Sequence, residues 1–92
     1  MRELSIRSKC EMIRDVGKTL AYLHWGKGKE LDAAIEDLKI RSIYLEEEVQ
    51  QNVLMFAEQV YFQYRYDPWH RVNENVTLAA DRLIQTLHGS AA

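Results

Sequence analysis

Residues 30–66 read ELDAAIEDLKIRSIYLEEEVQQNVLMFAEQVYFQYRY, without one glycine or proline. Leu31, Ile35, Leu38, Ser42, Leu45, Val49, Asn52 and Phe56 recur at spacings of three and four, and Val60 follows four further on, which is the period of one face of an α-helix. A second apolar line, Ala34, Val53 and Ala57 with Ile43, Tyr44, Leu54 and Tyr61, broadens that face in the middle and C-terminal half. With nothing to break it, the pattern predicts one helix over about 30–66, roughly 55 Å long. Ser42 and Asn52 are the polar interruptions on its seam, each a place for a bend or a register-setting contact. An apolar surface this broad asks for more than one neighbour.

On the N-terminal side, Ile6, Cys10, Ile13, Gly17 and Leu20 form a helical stripe widened by Met12, Val16 and Leu23, so a first helix is expected over about 3–24. Gly26 and Gly28 in HWGKGKE open backbone angles closed to other residues, and the chain should turn there. On the C-terminal side, Asp67 and Pro68 are a helix-start signal. Trp69, Val72, Val76, Ala79, Ala80, Leu83 and Leu87 then follow the helical period toward Gly89, giving a third helix over about 68–88. A shorter helix capped by Asn73 or Asn75 is the alternative.

The fold class expected from this order is all-α, three helices in a short-long-short arrangement forming a single domain over 1–92. Each short helix covers one end of the long one, which leaves its middle short of cover. A homodimer closing a helical bundle is the simplest remedy. The order distantly resembles the histone fold over the last two-thirds of the chain, with RVNENVTLAADRLIQTL in place of that fold's strand-like loop and last helix. The long helix here is acidic where histones carry basic loops and ends, a departure from the pattern that holds phosphate.

The composition is that of a folded soluble chain: 92 residues, 47% hydrophobic, 28% charged, with four glycines and one proline. The single cysteine, Cys10, cannot form an internal disulfide, and on the first-helix stripe it reads as an inert buried thiol; a reducing, cytoplasmic setting follows. The apolar runs are short and broken by charge, which argues against a membrane span or a signal peptide. The net charge of −2 divides unevenly, as +4 over residues 1–29, −6 over 30–58 and zero over 59–92. A basic first helix beside an acidic second one describes two helices that attract each other.

YFQYRYDPWHR, residues 61–71, concentrates aromatic side chains. The bland reading has Phe62 and Trp69 pinning the last helix while the tyrosines line the rim. The functional reading makes Tyr61, Tyr64, Arg65, Tyr66, Trp69 and His70 a surface for a protein or peptide, since tyrosine, tryptophan and arginine dominate contact energies.

Candidates for chemistry are weaker. The run Glu46-Glu47-Glu48 fans around a helix and reads as a solvated face. Glu11 and Asp15, one turn apart, are the first-helix pair able to face acids of the second helix, and Arg7, Arg14 and Lys18 serve as their partners. His24, His70 and His88 lack metal-ligand spacing. No cofactor, metal or catalytic residue is assigned, and the sequence leans away from an enzyme. The function expected is therefore a small non-enzymatic protein-interaction or regulatory module acting as a homodimer. The first alternative is a nucleic-acid-associated regulator using Arg7, Arg14, Lys18, Lys27 and Lys29. The second is a divalent-metal-dependent helical nucleotide hydrolase, for which the repeated Glu-x-x-Glu pattern is missing.

Overall fold

The computed structural model describes residues 2–66 and 71–89, with side chains from Ile6 onward. These form four helices: α1 (Arg2–Trp25), α2 (Gly28–Ser42), α3 (Glu47–Tyr66) and α4 (Glu74–Gly89). The expected 30–66 helix is two helices. The described chain measures 41 × 21 × 15 Å, too short for a 55 Å rod.

The break at 43–46 uses no left-handed residue; Gly26 is the sole described position with positive φ. Instead the end of α2 tightens. The amides of Ile43, Tyr44 and Leu45 donate three residues back, to the carbonyls of Ile40, Arg41 and Ser42, at 3.3, 3.4 and 3.0 Å. Such bonds satisfy last-turn carbonyls that an α-helix leaves open. Ser42 Oγ donates to the Lys39 carbonyl at 2.8 Å, the local competition that makes serine a poor interior helix residue. Leu45 turns back against the core, and its carbonyl accepts Gln50 Nε2 at 3.0 Å. Lys39 and Arg41 lie in the last turn of α2 and Glu47 and Glu48 in the first turn of α3, each sign placed where the helix dipole favours it.

Because α3 folds back along α2, the core closes within one chain. Leu38, Val49, Val53 and Phe56, from the stretch thought to need a second subunit, are at most 1% exposed. The homodimer inferred to complete the bundle thereby loses its premise, and the histone-like order goes with the long helix. α1 packs on α2 and α3 on α4, and these two hairpins meet chiefly through α2 and α3.

The first hairpin turns at Gly26 (φ 68°), where Lys27 N–H donates to the Tyr22 carbonyl at 2.9 Å and Gly26 N–H to that of Leu23 at 3.3 Å. This is the Schellman pattern. The buried side of α1 is Met12, Val16, Thr19 and Leu23, not the Ile6–Cys10–Gly17 line. Cys10 is exposed, contrary to the buried thiol expected.

In the second hairpin α3 is followed by α4, and of the residues between them 71–73 are described. The start signal at Asp67 and Pro68 falls outside the described residues. Residues 71–73 are not helical, and α4 starts after Asn73, whose Oδ1 accepts the Val76 amide at 2.9 Å. The side chain of Gln63, 1% exposed on α3, holds this corner from inside. Its Nε2 donates to the Arg71 carbonyl at 3.0 Å, and its Oε1 accepts the Asn73 amide at 2.7 Å.

Truncating Gln63 strands two backbone groups at a buried corner. Gln63→Ala should therefore cost about 1–3 kcal/mol in urea unfolding, and Asn73→Ala about 1 kcal/mol. Since both act on one corner, the double variant should lose less than the sum. A change below about 0.5 kcal/mol for Gln63→Ala would contradict this account of the corner.

Candidate functional site

The aromatic residues at the end of α3 divide between two sides of the helix. Tyr61 and Tyr64 are half-buried and packed against the core. The Tyr61 hydroxyl donates to Asp32 Oδ1 on α2 at 2.6 Å. Burial first, and then this bond and the charge of Asp32, push the Tyr61 hydroxyl well above the ordinary tyrosine range. The Tyr64 ring end lies against Gly28, where any Cβ would collide with its hydroxyl. Gly28 thus leaves room at the first turn of α2 for the end of the Tyr64 side chain.

Phe62 and Tyr66 turn outward, 61% and 66% exposed. Their ring centroids are 5.0 Å apart at an interplanar angle of 50°, a favourable tilted pair. The Arg65 guanidinium lies 5.6 Å from the Tyr66 centroid, within cation–π reach. Leu54 and Met55 are exposed as well. At 100° per residue Leu54, Arg65, Glu58, Phe62, Met55 and Tyr66 fall within about 120° of one another on α3. Phe62, expected to pin the last helix, stands in solvent, and the rings that do reach a neighbouring helix, Tyr61 and Tyr64, meet α2. Trp69 and His70 lie outside the described residues.

The basic candidates on α1 remain apart from this face. Arg7, Arg14 and Lys18 are exposed, with Arg14 3.9 Å from Glu11. Lys27 Nζ sits 6.0 Å from the Trp25 ring centroid, and Lys29 is exposed at the start of α2. The ion pairs Arg14–Glu11 and Arg41–Asp37 each lie within one helix, so they do not supply the expected attraction between the first two helices.

One arrangement of ionisable groups is raised by the sequence, where Asp15 could face acids of the second helix, but is set aside there in favour of pairing with Arg7, Arg14 and Lys18. Asp15, on the buried side of α1, meets Asp37 of α2. Burial first, then the hydrogen bond shared with Asp37 and its charge, push the Asp15 carboxyl up to about 7, against the opposing pull of Lys18 and Arg41. The bond shared with Asp15, and beyond it Arg41, hold Asp37 below the ordinary carboxylate range. Two carboxyls with separated proton affinities are the elements of an acid–base pair. Here, however, Asp15 Oδ2 is itself buried, although Asp15 borders a small groove. The available signal was the spacing of Asp15 from Met12, Val16 and Thr19, which places it on the inner side of α1.

A groove of about 210 Å³ beside Asp15 is lined by Lys18, Tyr22, Glu30, Ala33 and Ala34. A larger polar groove of about 460 Å³, with Glu46, Glu48, Asn52, Arg82 and Gln85, lies where α3 begins and α4 ends, away from the outward aromatics. Among the described residues no three of His, Cys, Asp or Glu converge as metal ligands, and no helix is long and apolar enough to cross a membrane. No family model, curated protein or solved structure matches the chain.

The bond from Tyr61 to Asp32 has a measurable consequence. In an alkaline titration followed by tyrosinate absorbance, Tyr61 should ionise last, and Tyr61→Phe should remove that late step while costing roughly 0.5–1.5 kcal/mol of stability. A titration curve whose late step survives in Tyr61→Phe would contradict the Tyr61–Asp32 bond.

Proposed function

We propose that the chain is a non-enzymatic interaction module that binds another protein along the outward face of α3. One observation carries the reading. Leu54, Met55, Phe62 and Tyr66 expose large apolar side chains on one side of a helix whose opposite side is fully committed to the core. Contiguous apolar surface on a folded domain is a contact surface more often than chance exposure. The pairing of Phe62 with Tyr66, and of Arg65 with Tyr66, holds the contact groups in fixed positions before binding. That lowers the entropy lost on association.

The partner element that suits such a face is an amphipathic helix laid along α3 at roughly 8–10 Å, its apolar side meeting Phe62 and Met55. Glu58 and Arg65 give the same face charges of both signs for orienting it. A reducing, cytoplasmic location is part of the proposal, supported by the unpaired Cys10.

A photo-crosslinking residue placed at 55 identifies the partner, which is then titrated in purified form. Phe62→Ala and Tyr66→Ala should each weaken binding about tenfold or more while leaving the melting temperature close to that of the parent, because both side chains stand in solvent. Undiminished affinity in both variants would overturn the assignment.

A further inference from the structure

Asp15 keeps only 6% of its surface exposed, on the core side of α1 between Met12 and Thr19. Its Oδ2 is buried and receives no donor from the protein. Its neighbour across the α1–α2 interface is the Asp37 carboxyl, so with no donor reaching Oδ2 a second negative charge at this seam would be neither paired nor solvated. An ionised carboxylate only accepts hydrogen bonds, so two carboxyl groups can bond to each other only through a proton. Asp37 is the partner fitted to stay charged, since Arg41 Nε donates to its Oδ2 at 2.8 Å. We propose that Asp15 and Asp37 hold one proton between them, and that this shared proton is a pH-sensitive latch fastening α1 to α2.

The surrounding charges fit that role. From α1, Lys18 faces Asp15, with Glu11 and Arg14 one turn toward the N-terminus. From α2 come Asp37 and Arg41, with Glu30 on the groove beyond. The charged side chains of α4, which also packs on α1, are exposed at Glu74, Asp81, Arg82 and His88. With the proton present the cluster balances and Oδ2 belongs to a neutral acid. Once it is lost, two carboxylates face each other at a buried seam, and Arg41 is already engaged by one of them.

The direction of the effect follows from linkage. Asp15 holds its proton more tightly in the folded chain than in the unfolded one, so its contribution to stability is complete below the unfolded value of 3.8 and is lost as pH rises through about 7. Asp37 acts the other way, its contribution being lost only as the solution becomes more acidic than an ordinary carboxylate requires. Between these limits the proton on Asp15 decides how firmly α1 is held. The α3–α4 hairpin, joined by Gln63, has no part in the pair.

The direct test is a carbon-detected NMR titration of the Asp15 carboxyl in the unmodified chain, together with melting curves of the parent and Asp15→Asn between about pH 5 and 8. Asparagine is neutral and can donate to Asp37 as the protonated acid does. The expected results are an Asp15 midpoint near neutrality, and a parent melting temperature that drops below that of Asp15→Asn as pH rises. Amide-exchange protection should fall over the same range in α1 and α2 before α3 and α4. An Asp15 midpoint among the ordinary surface acids, melting curves that run parallel, or protection lost equally in all four helices would each overturn the proposal. The titration needs no variant, so a failure of Asp15→Asn to fold leaves the proposal decidable.

Discussion

The chain reverses between Ser42 and Glu47, and the rest of the bundle depends on that reversal. α2 and α3 both carry apolar faces, and the turn sets those faces against each other. Leu38, Val49, Val53 and Phe56 then become mutual cover. The reversal also brings the end of α3 back to the start of α2, where Tyr61 reaches Asp32 and Tyr64 meets Gly28. Without it neither contact exists, and α1 and α4 would lie along separate halves of a rod.

The molecule is fastened by different means at its two hairpins. The α3–α4 corner is held by an uncharged side chain, the buried amide of Gln63, which satisfies backbone groups on both sides of Val72. Fully satisfied buried polar groups of this kind specify a single arrangement. The α1–α2 interface instead contains a titratable pair, Asp15 and Asp37. The proposed pH-sensitive element thus belongs to the α1–α2 half alone. The outward aromatic face lies on α3, outside the helix pair that holds Asp15 and Asp37.

Much of this was legible in the residues, and the gaps have physical causes. The helical periods of the core positions Leu31, Ile35, Leu38, Val49, Val53 and Val60 are plain in the sequence. The break between them was not, because glycine and proline are the usual punctuation and this turn is built from ordinary right-handed residues. The subtler signs were Ser42 on the seam and a change from Lys39 and Arg41 to Glu46-Glu47-Glu48 across five residues, the charge order expected where one helix ends and another begins. On α1 the sequence centres the apolar face on Ile6, Cys10 and Gly17 with Met12, Val16 and Leu23 as its flank, whereas in the fold the flank is the centre, and a face centred there places Asp15 on the inner side. In the aromatic segment, alternation around a helix decides which rings face inward, and that depends on where α2 lies, which the missing reversal had obscured.

The most direct test of the reversal is the distance between its two far ends. Spin labels at the exposed positions Lys29 and Arg65, in a Cys10→Ser background because the native thiol is itself exposed, report it by double electron–electron resonance. A chain that turns back at 43–46 places the labels within about 25 Å, two helix diameters, of each other. A separation of about 54 Å, the length of 36 residues of uninterrupted helix, would contradict it.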